Sequence, residues 1–114
     1  MKFKVILVFF SVCIFPFVCF SQKPPKNYTG RWITRYENGQ IKTQASFDIG
    51  KEVGECVNYF KSGKIELIGK YIDGKEDGEW FCYYENEKLR SKIIYEKGVI
   101  VKRIDYDEHG NKKQ

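Results

Sequence analysis

Asp73–Arg90 reads DGKEDGEWFCYYENEKLR, and its plan returns 24 residues earlier. Ile49–Ile65, IGKEVGECVNYFKSGKI, sets Gly50, Gly54, Phe60 and Gly63 where Gly74, Gly78, Tyr84 and Glu87 stand. A further 24 residues back, Gly30–Ile41 reads GRWITRYENGQI. The small, turn and aromatic positions align as Gly30/Gly54/Gly78, Trp32/Cys56/Trp80, Tyr36/Phe60/Tyr84, Ile41/Ile65/Leu89 and Phe47/Tyr71/Tyr95. A fixed period of this length marks a repeat architecture, in which each unit buries its apolar side only by stacking on its neighbours.

Within each unit the pattern is β. Apolar residues alternate at period two, and Gly or Asn-Gly punctuation separates the runs. Asn38-Gly39 reads as a type I′ hairpin turn. Such a turn sets Tyr36 opposite Ile41, Thr34 opposite Thr43 and Trp32 opposite Ala45, all on one face with Phe47. The same register gives Phe60–Ile65, Asn58–Leu67 and Cys56–Gly69 in the second unit, then Tyr84–Leu89, Cys82–Ser91 and Trp80–Ile93 in the third. A one-residue slip would invert every side chain, so agreement of turn and pattern is a check. In the third hairpin Glu87 replaces glycine, which predicts a longer or differently shaped turn there.

Between hairpins lie the tips Gly50–Gly54 and Gly74–Gly78, read as four-residue loops whose paired glycines reverse the chain. The last tip, at Gly98, lacks the second glycine and the Trp position, as a terminal capping unit does. The domain expectations are a signal peptide over 1–21, a flexible leader over 22–27, repeat units at about 28–49, 50–73 and 74–97, a partial unit over 98–106, and a charged tail over 107–114.

The N-terminus has Lys2 and Lys4 before an apolar run, Val5–Phe20, of 16 residues. A spanning helix needs about 20. Basic start, short apolar run and polar continuation make a secretory signal peptide, with cleavage expected after Ser21. An uncleaved N-terminal anchor is the alternative. Cys19 as a lipid-bearing residue fits poorly, because Pro16, Phe17 and Val18 precede it without a small residue. Export implies a periplasmic, cell-envelope or extracellular location. Losing Lys2 and Lys4 takes the formal net charge from +5 to +3. Charges of both signs alternate in the tips, so the pattern is that of a solvated surface and no nucleic-acid partner is expected.

The pattern DGKxDGxWxxYYxNxxL in Asp73–Leu89 resembles the MORN repeat variant family of bacterial proteins, some of them labelled YwqK-type antitoxins. The resemblance covers about Thr29–Tyr106 and departs at Cys56, Glu87 and the shortened fourth unit. It implies an all-β fold, a single-layer meandering antiparallel sheet of repeated β-hairpins after the signal helix. It also implies binding of proteins or membrane lipids without catalysis. A protein neutralising a cytoplasmic toxin has no use for a signal peptide, so an antitoxin role would be immunity to a toxin met outside the cytoplasm.

Two faces follow from the alternation. Trp32, Tyr36, Phe47, Phe60, Tyr71, Trp80, Tyr84 and Tyr95 form a structural aromatic face. Ile33, Val57, Tyr59, Ile68, Ile72, Phe81, Tyr83 and Ile94 are apolar on the opposite side. A single-layer sheet without a covering helix cannot bury both. Exposed apolar patches mark interaction sites, so Val57, Tyr59, Ile68, Ile72, Phe81, Tyr83 and Ile94 are the candidate partner-binding residues, for an unidentified protein or a second copy. A membrane- or glycan-surface binder is the alternative class.

Cys56 and Cys82 are expected on either side of Gly69, about 9.5 Å apart across two strand spacings. A disulfide wants Cα atoms within about 7 Å, so two nearby free thiols are predicted. The one histidine, His109, lies in the charged tail. Without a second histidine or a cleft there is no nucleophile–base pair, and no enzyme activity, cofactor or metal is expected.

Overall fold

The computed structural model describes residues 23–114, so the expected signal helix and cleavage site lie outside the described residues. Seven strands form one antiparallel sheet: β1 (Gly30–Arg35), β2 (Ile41–Asp48), β3 (Lys51–Tyr59), β4 (Ile65–Ile72), β5 (Lys75–Tyr83), β6 (Leu89–Glu96) and β7 (Val99–Asp105). Their order in the sheet is their order in the chain, an open meander. No helix occurs among the described residues.

The centres of the hairpins have the expected pairing. Trp32 faces Ala45 and Thr34 faces Thr43; Cys56 faces Gly69 and Asn58 faces Leu67; Trp80 faces Ile93 and Cys82 faces Ser91. The ends differ. Arg35, Tyr59 and Tyr83, instead of Tyr36, Phe60 and Tyr84, face Ile41, Ile65 and Leu89. The reason is the loop. Gly39 N donates to Tyr36 O at 3.0 Å, Tyr36 N donates to Gln40 O at 2.8 Å, and only Gly39 has positive φ, at 91°. This is a three-residue loop, a type I turn closed by a left-handed residue, in place of the two-residue type I′ turn.

Gly63 and Glu87 hold the same left-handed position, with φ 95° and 71°. The third hairpin therefore has the shape of the others, and the expected departure at Glu87 is corrected. Glu87 accepts positive φ because Glu87 N donates to Tyr84 O and Tyr84 N to Lys88 O, the ladder bonds of the loop. A fourth loop follows β7: Gly110 N donates to Asp107 O, Asp107 N to Asn111 O, and Tyr106 pairs with Lys112.

The tips are also tighter than expected. Asp48 pairs with Lys51 and Ile72 with Lys75, so each turn has two residues, Ile49-Gly50 and Asp73-Gly74, all four with positive φ. Lys97-Gly98 repeats the arrangement between Glu96 and Val99. The second glycine of each pair is not part of a loop. Gly54 and Gly78, at φ 72° and 75°, lie inside β3 and β5 as bulges. Ser46 faces Val53 but Gln44 faces Val57, so two extra residues are absorbed there; Lys70–Asp77 and Ile68–Phe81 show the same offset. Bulges of this kind bend a strand and increase its twist. What the last unit lacks is the bulge glycine, not the turn.

Each unit is latched to the next at both ends. At the tips, Gly50, Gly74 and Gly98 donate their N–H to Tyr28, Glu52 and Glu76 carbonyls at 2.8–2.9 Å. At the hairpin loops, Tyr36 and Tyr84 hydroxyls donate to the Tyr59 and Tyr106 carbonyls at 2.6 and 2.7 Å. Asn38 and Asn86 amides donate to the Lys61 and Glu108 carbonyls.

Candidate functional site

The face that carries the core is built around Trp80. Ala45, Cys56, Trp80 and Ile93 are buried together, with Phe47, Leu67, Tyr71, Cys82 and Tyr95 packed against them. Tyr71 and Tyr95 meet the indole edge-on, with centroids at 5.1 and 5.8 Å. Gly69 opposes Trp80 because Leu67 faces Cys82 and Ile68 faces Phe81. A Cβ at Gly69 would stand 2.0 Å from Trp80 Cδ2, so the glycine is the floor on which the indole rests. Trp32 has a comparable setting, with Tyr28 edge-on at 5.3 Å. Tyr36, Phe60 and Tyr84 begin the hairpin loops, and the two tyrosines there serve the latches just described.

The two thiols occupy this face without a disulfide, and both are free. The expected placement of Cys82 beside Gly69 is corrected: the two bulge residues Gly78 and Glu79 put Trp80 there and move Cys82 opposite Leu67. Burial, with the Glu52 carboxylate beside it, pushes the Cys56 thiol up to about 12. Burial also raises Cys82, against the opposing pull of Arg90 and Arg103. Glu52 is raised in turn, chiefly by burial, while its hydrogen bond from Cys56 acts the other way. Tyr71, half-buried and flanked by Glu52 and Glu76, is raised as well, chiefly by what burial it has. A protonated thiol is a poor nucleophile and a poor metal ligand, and the described residues hold no group of three or more His, Cys, Asp or Glu side chains with metal-binding geometry.

The opposite face carries the candidate partner-binding residues. Paired positions run straight across the sheet as Ile33, Gln44, Val57, Ile68, Phe81, Lys92 and Ile104. Val57, Ile68 and Phe81 thus adjoin on three neighbouring strands. Charged rows border them: Glu55, Lys70 and Asp77 on one line, and Glu79 with Lys102 on either side of Ile94. Lys92 Nζ bonds Glu79 at 3.1 Å and stands 6.0 Å from the Phe81 ring. Toward the hairpin end, Tyr83 and Ile68 line a groove of about 500 Å³ with Gly63, Lys64, Ile65 and Glu87.

The seven named residues are not one patch. Val57 is 7% exposed and belongs to the sheet's own packing. Ile72, 55% exposed, sits at the Asp73-Gly74 tip, separated from Ile68 by Lys70. Tyr59, Ile68, Phe81, Tyr83 and Ile94 are half-buried. Alternation alone missed Ile65 and the left-handed Glu87 as groove residues. The loop geometry that places them beside Tyr83 is set by backbone bonds, which leave no mark in an apolar pattern. His109 lies in the fourth loop, where its N–H donates to Asp107 Oδ1 and its carbonyl accepts from Lys88 Nζ.

Residues 28–48 and 76–97 match the family model described as MORN repeat variant. No curated protein and no solved structure matches the chain. The unmatched stretch between the two segments contains Cys56 at the Trp position.

Proposed function

Residues 28–48 and 76–97 being MORN repeat variant units, we propose that this chain is an exported, non-enzymatic MORN-like module that binds another protein through the Phe81 face. The observation that carries this is the apolar pair Ile68–Phe81, backed by buried Val57, continued by Tyr83 into the groove and bordered by charged rows, on a sheet with no second layer over it among the described residues. An apolar centre with a polar rim is the anatomy of protein interfaces. Export rests on Lys2, Lys4 and the Val5–Phe20 run. An immunity-type role fits an exported module of this family better than neutralisation of a cytoplasmic toxin does.

The alternative, a membrane- or glycan-surface binder, draws on the basic balance of the chain and on Lys92 beside Phe81. Salt separates the two. Lipid attraction by lysines weakens with ionic strength, whereas apolar protein contact survives it. A pull-down from the cell envelope with wild-type bait and with Tyr59→Glu and Tyr83→Glu baits is the test. A partner retained at high salt by the wild type and lost by both variants is expected; vesicle co-sedimentation that fades with salt, with no protein retained, would sink the reading.

A further inference from the structure

The aromatic residues that open the hairpin loops carry a pattern of charge, and one unit reverses it. Six residues after Tyr36, Phe60, Tyr84 and Tyr106 stand Lys42, Glu66, Arg90 and Lys112. In the first unit the Lys42 ammonium lies 5.6 Å from the centre of the Tyr36 ring, and Lys61, from the loop of the next unit, lies 6.0 Å from it. In the third unit the Arg90 guanidinium lies 6.0 Å from the centre of the Tyr84 ring. These are cation–π distances. In the second unit both cationic positions are inverted: Glu66 stands where Lys42 does, and Glu85, from the following loop, stands where Lys61 does. Among the described residues Phe60 has no cation over its ring. It also lacks the hydroxyl that ties Tyr36 and Tyr84 to the next unit. Its half-buried ring is instead one wall of a groove of about 390 Å³, shared with Tyr84, Glu85, Arg90 and Glu108.

We infer that Phe60 receives an arginine side chain of the protein partner, its guanidinium lying on the ring with Glu66 and Glu85 as counter-charges; this rests on the protein-binding reading above and deepens it. The repeat supplies the template. Where the chain brings its own cation the ring is covered, and where it brings carboxylates the cation comes from outside. The charges at the site are free to act. Among the described residues none of Glu66, Glu85 and Glu108 is in an ion pair. The cations nearby are engaged: Lys61 on Tyr36, Arg90 on Tyr84, Lys64 with Glu87 and the Glu85 carbonyl, Lys88 with the His109 carbonyl. The Ser62 hydroxyl donates to Glu85 Oε1 at 3.0 Å and orients that carboxylate. Burial first, and then the charges of Glu66 and Glu85, raise the Tyr36 hydroxyl, which bonds the Tyr59 carbonyl. Both carboxylates are therefore felt one residue before Phe60. A guanidinium suits the site better than an ammonium, because it is planar, weakly hydrated, stacks on rings and meets carboxylates with two parallel bonds.

The test uses the full chain and the blocked peptide acetyl-Gly-Gly-Arg-Gly-Gly-amide, followed by two-dimensional NMR of the phenylalanine rings. The Phe60 signals shift with peptide concentration while those of Phe81 stay in place. The citrulline counterpart, alike in shape and uncharged, shifts neither. Phe60→Leu, Glu85→Gln and Glu66→Lys each weaken binding, the last by about tenfold or more, because it gives the ring a cation of its own as Lys42 does for Tyr36. Should Glu66→Lys not fold, the other two variants still decide. An absent Phe60 shift, an equal effect of the citrulline peptide, shifts confined to Phe81, or full binding by the variants overturns the inference. So does choline binding at Phe60 where the peptide does not. A partner retained from the cell envelope equally by the parent and by Phe60→Leu overturns it too, and leaves protein binding standing. Peptide binding at Phe60 with no protein retained has the opposite meaning: the guanidinium site holds and the protein-binding reading falls.

Discussion

Gly69→Ala is the sharpest perturbation available, because it changes one methyl group and has a single obstacle. The new Cβ would lie 2.0, 2.3 and 2.5 Å from Trp80 Cδ2, Cε2 and Cε3. Carbon–carbon contact needs about 3.5 Å, so the indole must retreat by roughly 1.5 Å. Gly69 lies in a regular strand and has no positive φ, so no backbone strain confuses the result. The retreat disturbs the two edge-on contacts with Tyr71 and Tyr95, each worth about 0.5–1.5 kcal/mol, and overpacking itself costs about 1–3 kcal/mol. A total near 2–4 kcal/mol lowers the melting temperature by about 10 °C or more in a domain of this size. Tryptophan fluorescence and near-ultraviolet circular dichroism follow the melt. In a Trp80→Val background the penalty of Gly69→Ala shrinks, since the obstacle is gone. A Gly69→Ala variant melting within roughly 3 °C of the parent, or an unchanged penalty in the Trp80→Val background, would refute the packing argument.

Three further outcomes follow from single residues. Glu87→Gly relieves a left-handed φ of 71° and stabilises by about 1 kcal/mol, read as a higher melting temperature; its ion pair with Lys64, 3.8 Å and exposed, gives up little. Glu52→Gln depends on pH in a defined sense. The Glu52 pKa is raised on folding, so the folded state holds the extra proton and stability falls as pH rises from the ordinary carboxylate value through the folded one. The variant is therefore more stable than the parent at neutral pH and equal to it at acid pH; a difference that is constant with pH would contradict the assignment. Thiol alkylation at pH 8 is slow at both cysteines in the native protein and slower at buried Cys56 than at half-buried Cys82, rising sharply on unfolding; rapid native labelling of Cys56 would show that the Trp80 core is open.

The repeat period, the meander and the two faces were legible because alternation and spacing report directly on which side of a strand a residue lies. The strand ends were not. Asn38-Gly39 has the composition of a type I′ turn, yet Asn38 does better elsewhere: its Oδ1 accepts from Gln40 N and its Nδ2 donates to Lys61 O of the next unit. That second bond exists only once units stack, so a local turn signature cannot report it. At the tips the paired glycines suggested one loop, whereas the first closes a two-residue turn and the second bends a strand. Ile49 is the clearest obstacle. A β-branched residue at φ 48° runs against every turn preference, and only the repeat, where Asp73 and Lys97 stand in its place, makes the position intelligible. Displacement of Cys82 from Gly69 is the arithmetic result of that one misreading. The face opposite Trp80 was legible as a set of apolar positions, but its continuity was not, because Lys70 isolates Ile72 and packing absorbs Val57.

The same latches explain how a single layer keeps its shape without a second layer over it. Among the described residues no side chain is fully buried, so the sheet cannot draw its rigidity from a two-layer core of the kind most domains use. Instead, each tip glycine and each loop tyrosine or asparagine bonds to the backbone of the adjoining unit, and the bulges at Gly54 and Gly78 supply the bend. The middle unit is latched differently, its loop bonding onward through Lys64 Nζ to the Glu85 carbonyl at 3.1 Å. Cys56 stands where its neighbours have Trp, and Phe60 lacks the hydroxyl that Tyr36 and Tyr84 use. Its compensation comes from outside: Trp80 of the third unit rests on Gly69 and packs with Cys56. The core around Trp80 thus joins all three units, Ala45 and Phe47 of the first included, and Ile68, Phe81 and Tyr83 lie on the strands it ties together. In the proposed function the conspicuous tryptophan acts indirectly, by fixing the strands whose other side carries the apolar residues.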